Sequence, residues 1–381
     1  MKLLCTQENL NHGLFAVSHI STKNINLPIL NNILLKAEGG LIKLLSTNLE
    51  IGISCTIRGK VEEDGAYTIQ ARLLSDYINL LPRDTISMEL IEDVSKNTSY
   101  LEIISKNNKT KIKGLPASDF PLIPQISKNQ PLTLPLQEFR QAIAQVIFAV
   151  SVSETRPEIG GVLMHIQKNS LILAATDSFR LAEKTITLKN SAQTEQKVII
   201  PAKTLQEVLR ILNSFKEPQD IEHVENITLY LSENQILFSL GNIEIISRLI
   251  EGQYPDYRQI IPTSFQTQSE ITTVDILKAI KTASLFSRSG IYDIRLQFQV
   301  ENKEVQVSGV NAQVGENESK ITAEITGKNN EIVLNYRYLL DGLQNADAED
   351  IILSLIDGAS PCILRRKSQS DYLYIIMPIK Q

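Results

Sequence analysis

Ala71-Arg-Leu-Leu-Ser-Asp-Tyr-Ile-Asn-Leu-Leu81 has the spacing of an amphipathic helix, and the chain repeats the pattern twice. It returns as Ala202-Lys-Thr-Leu-Gln-Glu-Val-Leu-Arg-Ile-Leu212 and again, after a nearly equal interval, as Tyr336-Arg-Tyr-Leu-Leu-Asp-Gly-Leu343. Apolar side chains at three- and four-residue intervals predict one buried stripe on each helix. A short β-like run precedes each: Ala66-Tyr-Thr-Ile69, Lys197-Val-Ile-Ile200 and Glu331-Ile-Val-Leu334. A second helical pattern recurs over residues 10–18, 139–151 and 276–287, and its closing serines, Ser18, Ser151 and Ser287, are almost evenly spaced. Strand-like runs follow it at residues 30–37, 161–166 and 294–300. Two loops of similar shape, Asp119-Phe-Pro-Leu-Ile-Pro124 and Gln253-Tyr-Pro-Asp-Tyr-Arg-Gln-Ile-Ile-Pro262, close the first two units. Ordered features recurring at one spacing argue for a repeat. The expected fold is α+β: three tandem similar domains, each two helices packed on antiparallel sheets, over residues 1–128, 129–257 and 258–381.

Composition narrows the function. With 38 Lys+Arg against 43 Asp+Glu the chain carries −5, so it is not coated in basic charge, although one basic face remains open to it. An apolar fraction of 43% argues against disorder as the main state. The longest apolar run is Tyr372 to Met377, far short of the ~20 residues that a membrane helix needs. The apolar start Met-Lys-Leu-Leu-Cys is too short for a secretory signal. Cys5, Cys55 and Cys362, odd in number and far apart, fit a reducing cytoplasm better than a disulfide framework.

The helices are more basic than the rest of the chain. Nine bases (Arg72, Arg140, Lys203, Arg210, Lys216, Lys278, Lys281, Arg288, Arg337) stand against six acids (Glu8, Asp76, Glu138, Glu207, Asp275, Asp341). Such a set can face a polyanion. An ordinary solvated surface would look the same, and charge alone leaves both readings open.

Signs of catalysis are scarce. His12, His19, His165 and His223 lack metal-ligand spacing, and no Cys-x-x-Cys, Walker loop or nucleophile elbow occurs. The best polar cluster is Ala174-Ala-Thr-Asp-Ser-Phe-Arg-Leu181. A Mg²⁺-dependent nuclease or nucleotidyltransferase needs converging carboxylates, and Asp177 has none nearer in sequence than Glu183. The expectation is a turn in which Asp177 bonds backbone and Arg180, with no catalytic residue, no metal and no cofactor.

Five stretches, in order along the chain, resemble the bacterial DNA polymerase III beta subunits, the replicative sliding clamps. They are Asn26-Leu-Pro-Ile-Leu-Asn-Asn-Ile-Leu-Leu35, Glu154-Thr-Arg-Pro-Glu-Ile-Gly-Gly-Val-Leu163, Ala175-Thr-Asp-Ser-Phe-Arg-Leu-Ala182, Ser247-Arg-Leu-Ile-Glu-Gly-Gln-Tyr-Pro-Asp-Tyr-Arg258 and Tyr374-Ile-Ile-Met-Pro-Ile-Lys380. The resemblance covers essentially the whole chain. It implies a non-catalytic processivity factor: two chains close head to tail into a ring that holds double-stranded DNA topologically, without base specificity. Tight phosphate binding would impede sliding, which suits a modest basic excess. The alternatives are an enzyme of DNA metabolism and a repeat scaffold that forms no ring.

The same resemblance implies site residues. A hydrophobic cleft for partner peptides would use Ile159, Thr176, Ser178, Phe179, Arg180, Leu181, Pro255, Gln259, Ile260, Ile375, Met377, Pro378, Ile379 and Lys380, with Arg180 offering donors to the peptide. Implied partners are the polymerase III alpha subunit, the clamp-loader delta subunit, and other clamp-binding polymerases and repair proteins, in the cytoplasm at the nucleoid. DNA would face Lys23, Arg72, Arg140, Lys203, Arg210, Lys278, Lys281 and Arg337. The dimer contact would join Ile112 to Leu285 and Phe286. Ser178-Phe179 replaces the Gly-His of many relatives, Gln259 replaces an Arg, and Asn24 stands where some place a DNA-contacting Arg, with Lys23 beside it. Partner preference is therefore not carried over in detail.

Overall fold

A computed structural model describes residues 1–21, 26–93, 98–153, 155–214 and 224–380. Lys23, Asn24, Glu154, Lys216 and His223 lie outside the described residues. Six α-helices occur among the described ones: α1 (Gln7–Ser18), α2 (Ala71–Leu80), α3 (Leu136–Ile147), α4 (Ala202–Leu212), α5 (Thr273–Ser284) and α6 (Tyr336–Ala346). They take the six places that the repeat predicts. The helices expected from Leu10, Phe139 and Ile276 begin earlier, at Gln7, Leu136 and Thr273, because each follows its strand without a loop. Thr6 caps α1 by accepting from the Asn9 amide, and Asn335 caps α6 by accepting from Arg337. Arg288, counted with the helices, lies beyond the end of α5.

The residues cluster into two compact units, and each nine-stranded sheet lies within one of them. The first unit comprises Met1–Leu136 and Gln206–Leu249. Its large antiparallel sheet runs in the order Leu115–Pro116, Gly65–Gln70, Asn32–Glu38, Leu41–Thr47, Ile51–Ile57, Ile243–Arg248, Gln235–Leu240, Asn226–Leu231, Leu132–Pro135. At its centre Ile53 opposes Ile245, joining segments from distant parts of the chain. A five-stranded sheet ends at the edge strand Asn108–Lys113. Helix α1 lies on the large sheet through Gly13, where a Cβ would strike Ile57 and Leu44.

The second unit comprises Gln137–Leu205 and Ile250–Gln381. Its large sheet has the order Gln196–Pro201, Gly161–Ile166, Ser170–Thr176, Arg180–Thr187, Tyr372–Ile376, Cys362–Arg366, Asp350–Leu355, Thr267–Thr272, Glu324–Gly327. Gly161–Ile166 and Tyr372–Ile376 are buried at every residue, as strands covered on both faces must be. A four-stranded sheet begins at the edge strand Gly315–Thr322. Helix α6 approaches through Gly342, where a Cβ would enter the Tyr374 ring.

Cys5, Cys55 and Cys362 are buried and joined in no disulfide, and burial pushes the Cys5 and Cys362 thiols up to about 12, so neither is a reactive thiolate. Among the described residues no group of three or more His, Cys, Asp or Glu is placed to hold a metal, and no helix is long and apolar enough to cross a membrane.

Candidate peptide cleft and charged helices

In the second unit, strand Arg180–Thr187 pairs with Tyr372–Ile376, setting Leu181 opposite Ile375. Both side chains belong to a buried apolar cluster with Ile159, Leu163, Tyr254 and Tyr257, against which Ile250, Ile261 and Phe265 pack. Of the residues expected in the cleft, Ile159, Thr176, Leu181 and Ile375 are thus floor rather than surface. The apolar side chains that reach solvent are Phe179, 61% exposed, and Ile260, 43% exposed, while Pro255, Met377, Pro378 and Ile379 are half-buried. Gln259 and Lys380 are exposed, Gln259 donating to Asp256 at 2.9 Å. The amide of Met377 donates to the Phe179 carbonyl at 2.9 Å, and that of Ile379 to Val333 at 2.9 Å. The first bond ties the backbone past the end of the strand to the turn before Arg180, and the second ties it to the strand Asn330–Asn335.

That turn is over-determined. The Asp177 carboxylate accepts from the amides of Phe179 and Arg180 at 2.9 and 3.0 Å, and Thr176 Oγ1 accepts from the Ser178 amide while donating to the Arg180 carbonyl. Ser178 is held at φ +78°, a left-handed conformation that non-glycine residues rarely adopt. Arg156, absent from the expected site, reaches Ser178 Oγ at 3.2 Å. Asp177 is committed to backbone amides and to Arg180, as the turn reading expects.

The expectation that Arg180 offers donors to a peptide meets a different side chain. Its Nε donates to Asp177 at 2.9 Å, Nη2 to the Phe148 carbonyl at 2.8 Å and Nη1 to Asp341 at 2.5 Å. Its guanidinium lies 4.6 Å from the Tyr338 ring centroid and 5.5 Å from that of Phe148. Burial disfavours its charge, but Tyr374, Asp341 and Asp177 more than offset this and raise its pKa. Tyr254 and Tyr257 were legible as part of a loop but not as floor. Burial, joined by the Glu183 carboxylate that accepts a hydrogen bond from its hydroxyl, pushes the Tyr257 phenol well above its ordinary value.

The basic residues divide into free and committed. Lys203, Lys278 and Lys281 are exposed. Arg72 is exposed with Asp76 3.7 Å away, Arg337 stacks at 3.6 Å over the Tyr292 ring, and Arg140 is half-buried. Arg210 departs from expectation: its guanidinium binds the buried Glu207 through Nε and Nη2, donates to the Ala16 carbonyl at 2.9 Å and stacks on Phe15. These bonds hold α4 against α1, so its charge is spent inside the protein. At the expected dimer contacts, Leu285 is 72% exposed and Phe286 is half-buried, its ring against Gly315. Ile112 is buried under its own sheet, because strand alternation turns Lys111 and Lys113 outward instead.

Three family models match in succession: the DNA polymerase III beta subunit N-terminal domain over residues 1–124, its central domain over 133–256 and its C-terminal domain over 258–380. The beta sliding clamp of Staphylococcus epidermidis is 32% identical over 381 residues, covering 97% of this chain and 96% of its own. That of Synechocystis sp. is 29% identical over 394 residues, covering 100% and 99%. Among solved structures, the DNA polymerase sliding clamp from Bacillus subtilis superposes with a TM-score of 0.92 at 27% identity, over 100% of this chain and 99% of that one. The sliding clamp from Pseudomonas aeruginosa bound to griselimycin gives 0.90 at 25%, with both chains covered completely. The chain therefore belongs to the DNA polymerase III beta subunit family, the beta sliding clamps.

Proposed function

We propose that two copies of this chain close head to tail around duplex DNA, slide without reading sequence, and tether the replicative polymerase through the cleft of the second unit. As a sliding clamp it is a non-catalytic subunit that supplies processivity by topology. Its domains run 1–128, 129–257 and 258–381. The partners are the polymerase III alpha subunit, the clamp-loader delta subunit and other clamp-binding polymerases and repair proteins, in the cytoplasm at the nucleoid. Lys203, Lys278, Lys281, Arg72 and Arg337 face the DNA.

The observation that carries the cleft is the bond from the Met377 amide to the Phe179 carbonyl. It sets a half-buried Met-Pro-Ile segment beside an exposed phenylalanine, above a floor of Leu181, Ile375 and Tyr257. Met and branched aliphatics suit a groove that adapts to several peptides. The test is a chain ending at Ile376, which lacks Met377 and Ile379 but keeps the strand Tyr372–Ile376 whole. Each such side chain contributes roughly 1.5–3 kcal/mol when buried, so peptide affinity should fall on the order of a hundredfold while the dimer persists. Fluorescence anisotropy with a peptide copying the tail of an alpha subunit, alongside sedimentation of the same sample, reads both. Unchanged affinity would remove the cleft, and loss of the dimer would give the segment a structural role instead.

A further inference from the structure

Arg180 joins parts of the second unit that the proposed function treats separately. It lies at the start of strand Arg180–Thr187, next to Phe179, and its side chain is only 12% exposed. Three of its nitrogens are taken: Nε by Asp177 in the turn, Nη2 by the Phe148 carbonyl just beyond α3, and Nη1 by Asp341 on α6. Tyr338 of α6 stacks on the guanidinium, and its carbonyl accepts the hydroxyl of Tyr374, next to Ile375 on the cleft floor. The turn that presents Phe179 cannot shift without breaking the bond to α6, and α6 cannot shift without pulling on the turn.

Asp341 is the more exposed of the two carboxylate partners of Arg180, its side chain 42% exposed against 15% for Asp177. It lies one helical turn beyond Arg337, so the two share a helix face. A phosphate attracted to Arg337 would approach the face that carries Asp341, and its negative charge would press that carboxylate toward Arg180.

We propose that Arg180 is a positioning residue that transmits DNA engagement at α6 to the peptide cleft, so that a phosphate backbone along α6 tightens peptide capture. This regulation rests on the cleft reading and on α6 facing the duplex. Its physical content is a coupling free energy between two sites through one shared ion cluster, and it is reciprocal: a bound peptide strengthens the hold on DNA by the same factor. Three of the five N–H donors of Arg180 are engaged in these bonds, which leaves two for a peptide.

The experiment measures affinity for a labelled alpha-subunit tail peptide on the intact dimer, with and without a short primed duplex at saturating concentration. The duplex is expected to tighten the wild-type chain by roughly fivefold, the low end of ordinary coupling. Asp341→Asn keeps the shape and a hydrogen bond but removes the charge, and Arg180→Lys keeps the charge but loses the fork. Each should bring the ratio of the two affinities to one, and the double variant should be no worse than the more affected single one. A variant that merely loosens the fold weakens both affinities and leaves their ratio unchanged, which overturns the inference. A wild-type ratio of one overturns it too. A wild-type chain that never holds the peptide overturns the cleft reading itself, and this inference with it.

Discussion

Leu49 and Ser178 occupy the same place in two turns of the same design. In the first, Thr47 Oγ1 accepts from the Leu49 amide and donates to the Ile51 carbonyl, while Asn48 Oδ1 accepts from Glu50 and Ile51. In the second, Thr176 and Asp177 make the same bonds around Ser178. Leu49 sits at φ +76° and Ser178 at φ +78°. The first turn carries Asn where the second carries Asp because only the second has an Arg to neutralise, and Arg180 is that cation. Neither left-handed residue is a glycine, and each stores strain. Leu49 is half exposed and contributes little packing, so Leu49→Gly should raise stability by about 0.5–1 kcal/mol in urea denaturation, after the larger unfolded-state entropy of glycine is counted. A loss instead would show that the leucine side chain holds the turn. The matching change at Ser178 would also break the bond from Arg156, so it is the poorer test.

At the scale of the helix, α4 separates two functions that a count of charges merges. Glu207 is 4% exposed and takes two hydrogen bonds from Arg210 and one from His19 at 2.7 Å. Arg210→Ala leaves that buried carboxylate only its bond from His19 and should cost about 2–4 kcal/mol of stability, seen as a lower denaturation midpoint. Lys281→Ala on α5 should change stability by less than about 0.5 kcal/mol yet reduce the salt dependence of DNA binding by about one counterion. If Arg210→Ala leaves stability untouched, the ion cluster is ornamental. The six helices were legible because their periodicity is local, and the repeat spacing supported each with two others. Their commitments were not: the partner of Arg210 on α1 lies 194 residues away and Asp341 lies 161 residues from Arg180. The strand partners at the centre of each large sheet were hidden for the same reason, since a strand's sequence records which face is buried and not which edge it joins. The buried cleft floor looked like a binding surface because apolar floor and apolar rim have one composition.

For the whole molecule, the two small sheets end in edges of opposite charge. Asn108–Lys113 turns Lys109, Lys111 and Lys113 outward, and Gly315–Thr322 exposes Glu316 and Glu318 against the single base Lys320, so it stays net acidic, with Leu285, Val310 and Val314 as exposed apolar residues of the same chain. Unpaired edges that differ in sign suit a heterologous, head-to-tail contact and resist a head-to-head one. Glu316→Lys with Glu318→Lys should give monomers at low salt, because like charges then face each other at both contacts. Lys109→Glu with Lys111→Glu should do the same. Mixed in equal amounts, the two variants should form dimers again, since one junction is reversed on both sides and the other is native. Sedimentation velocity reads this directly, and a mixture that stays monomeric would place the contact elsewhere.

The junction of Ile51–Ile57 with Ile243–Arg248 also sets a timetable for the newly made chain. At about 5–20 residues per second of synthesis, the strand Ile-Gly-Ile-Ser-Cys-Thr-Ile leaves the ribosome on the order of 10–40 s before its neighbour exists. Until then it is an apolar edge with every second backbone group unpaired, the form most prone to recruit another nascent strand. Polysomes translating this message bring several such edges together, and slower translation lengthens their exposure.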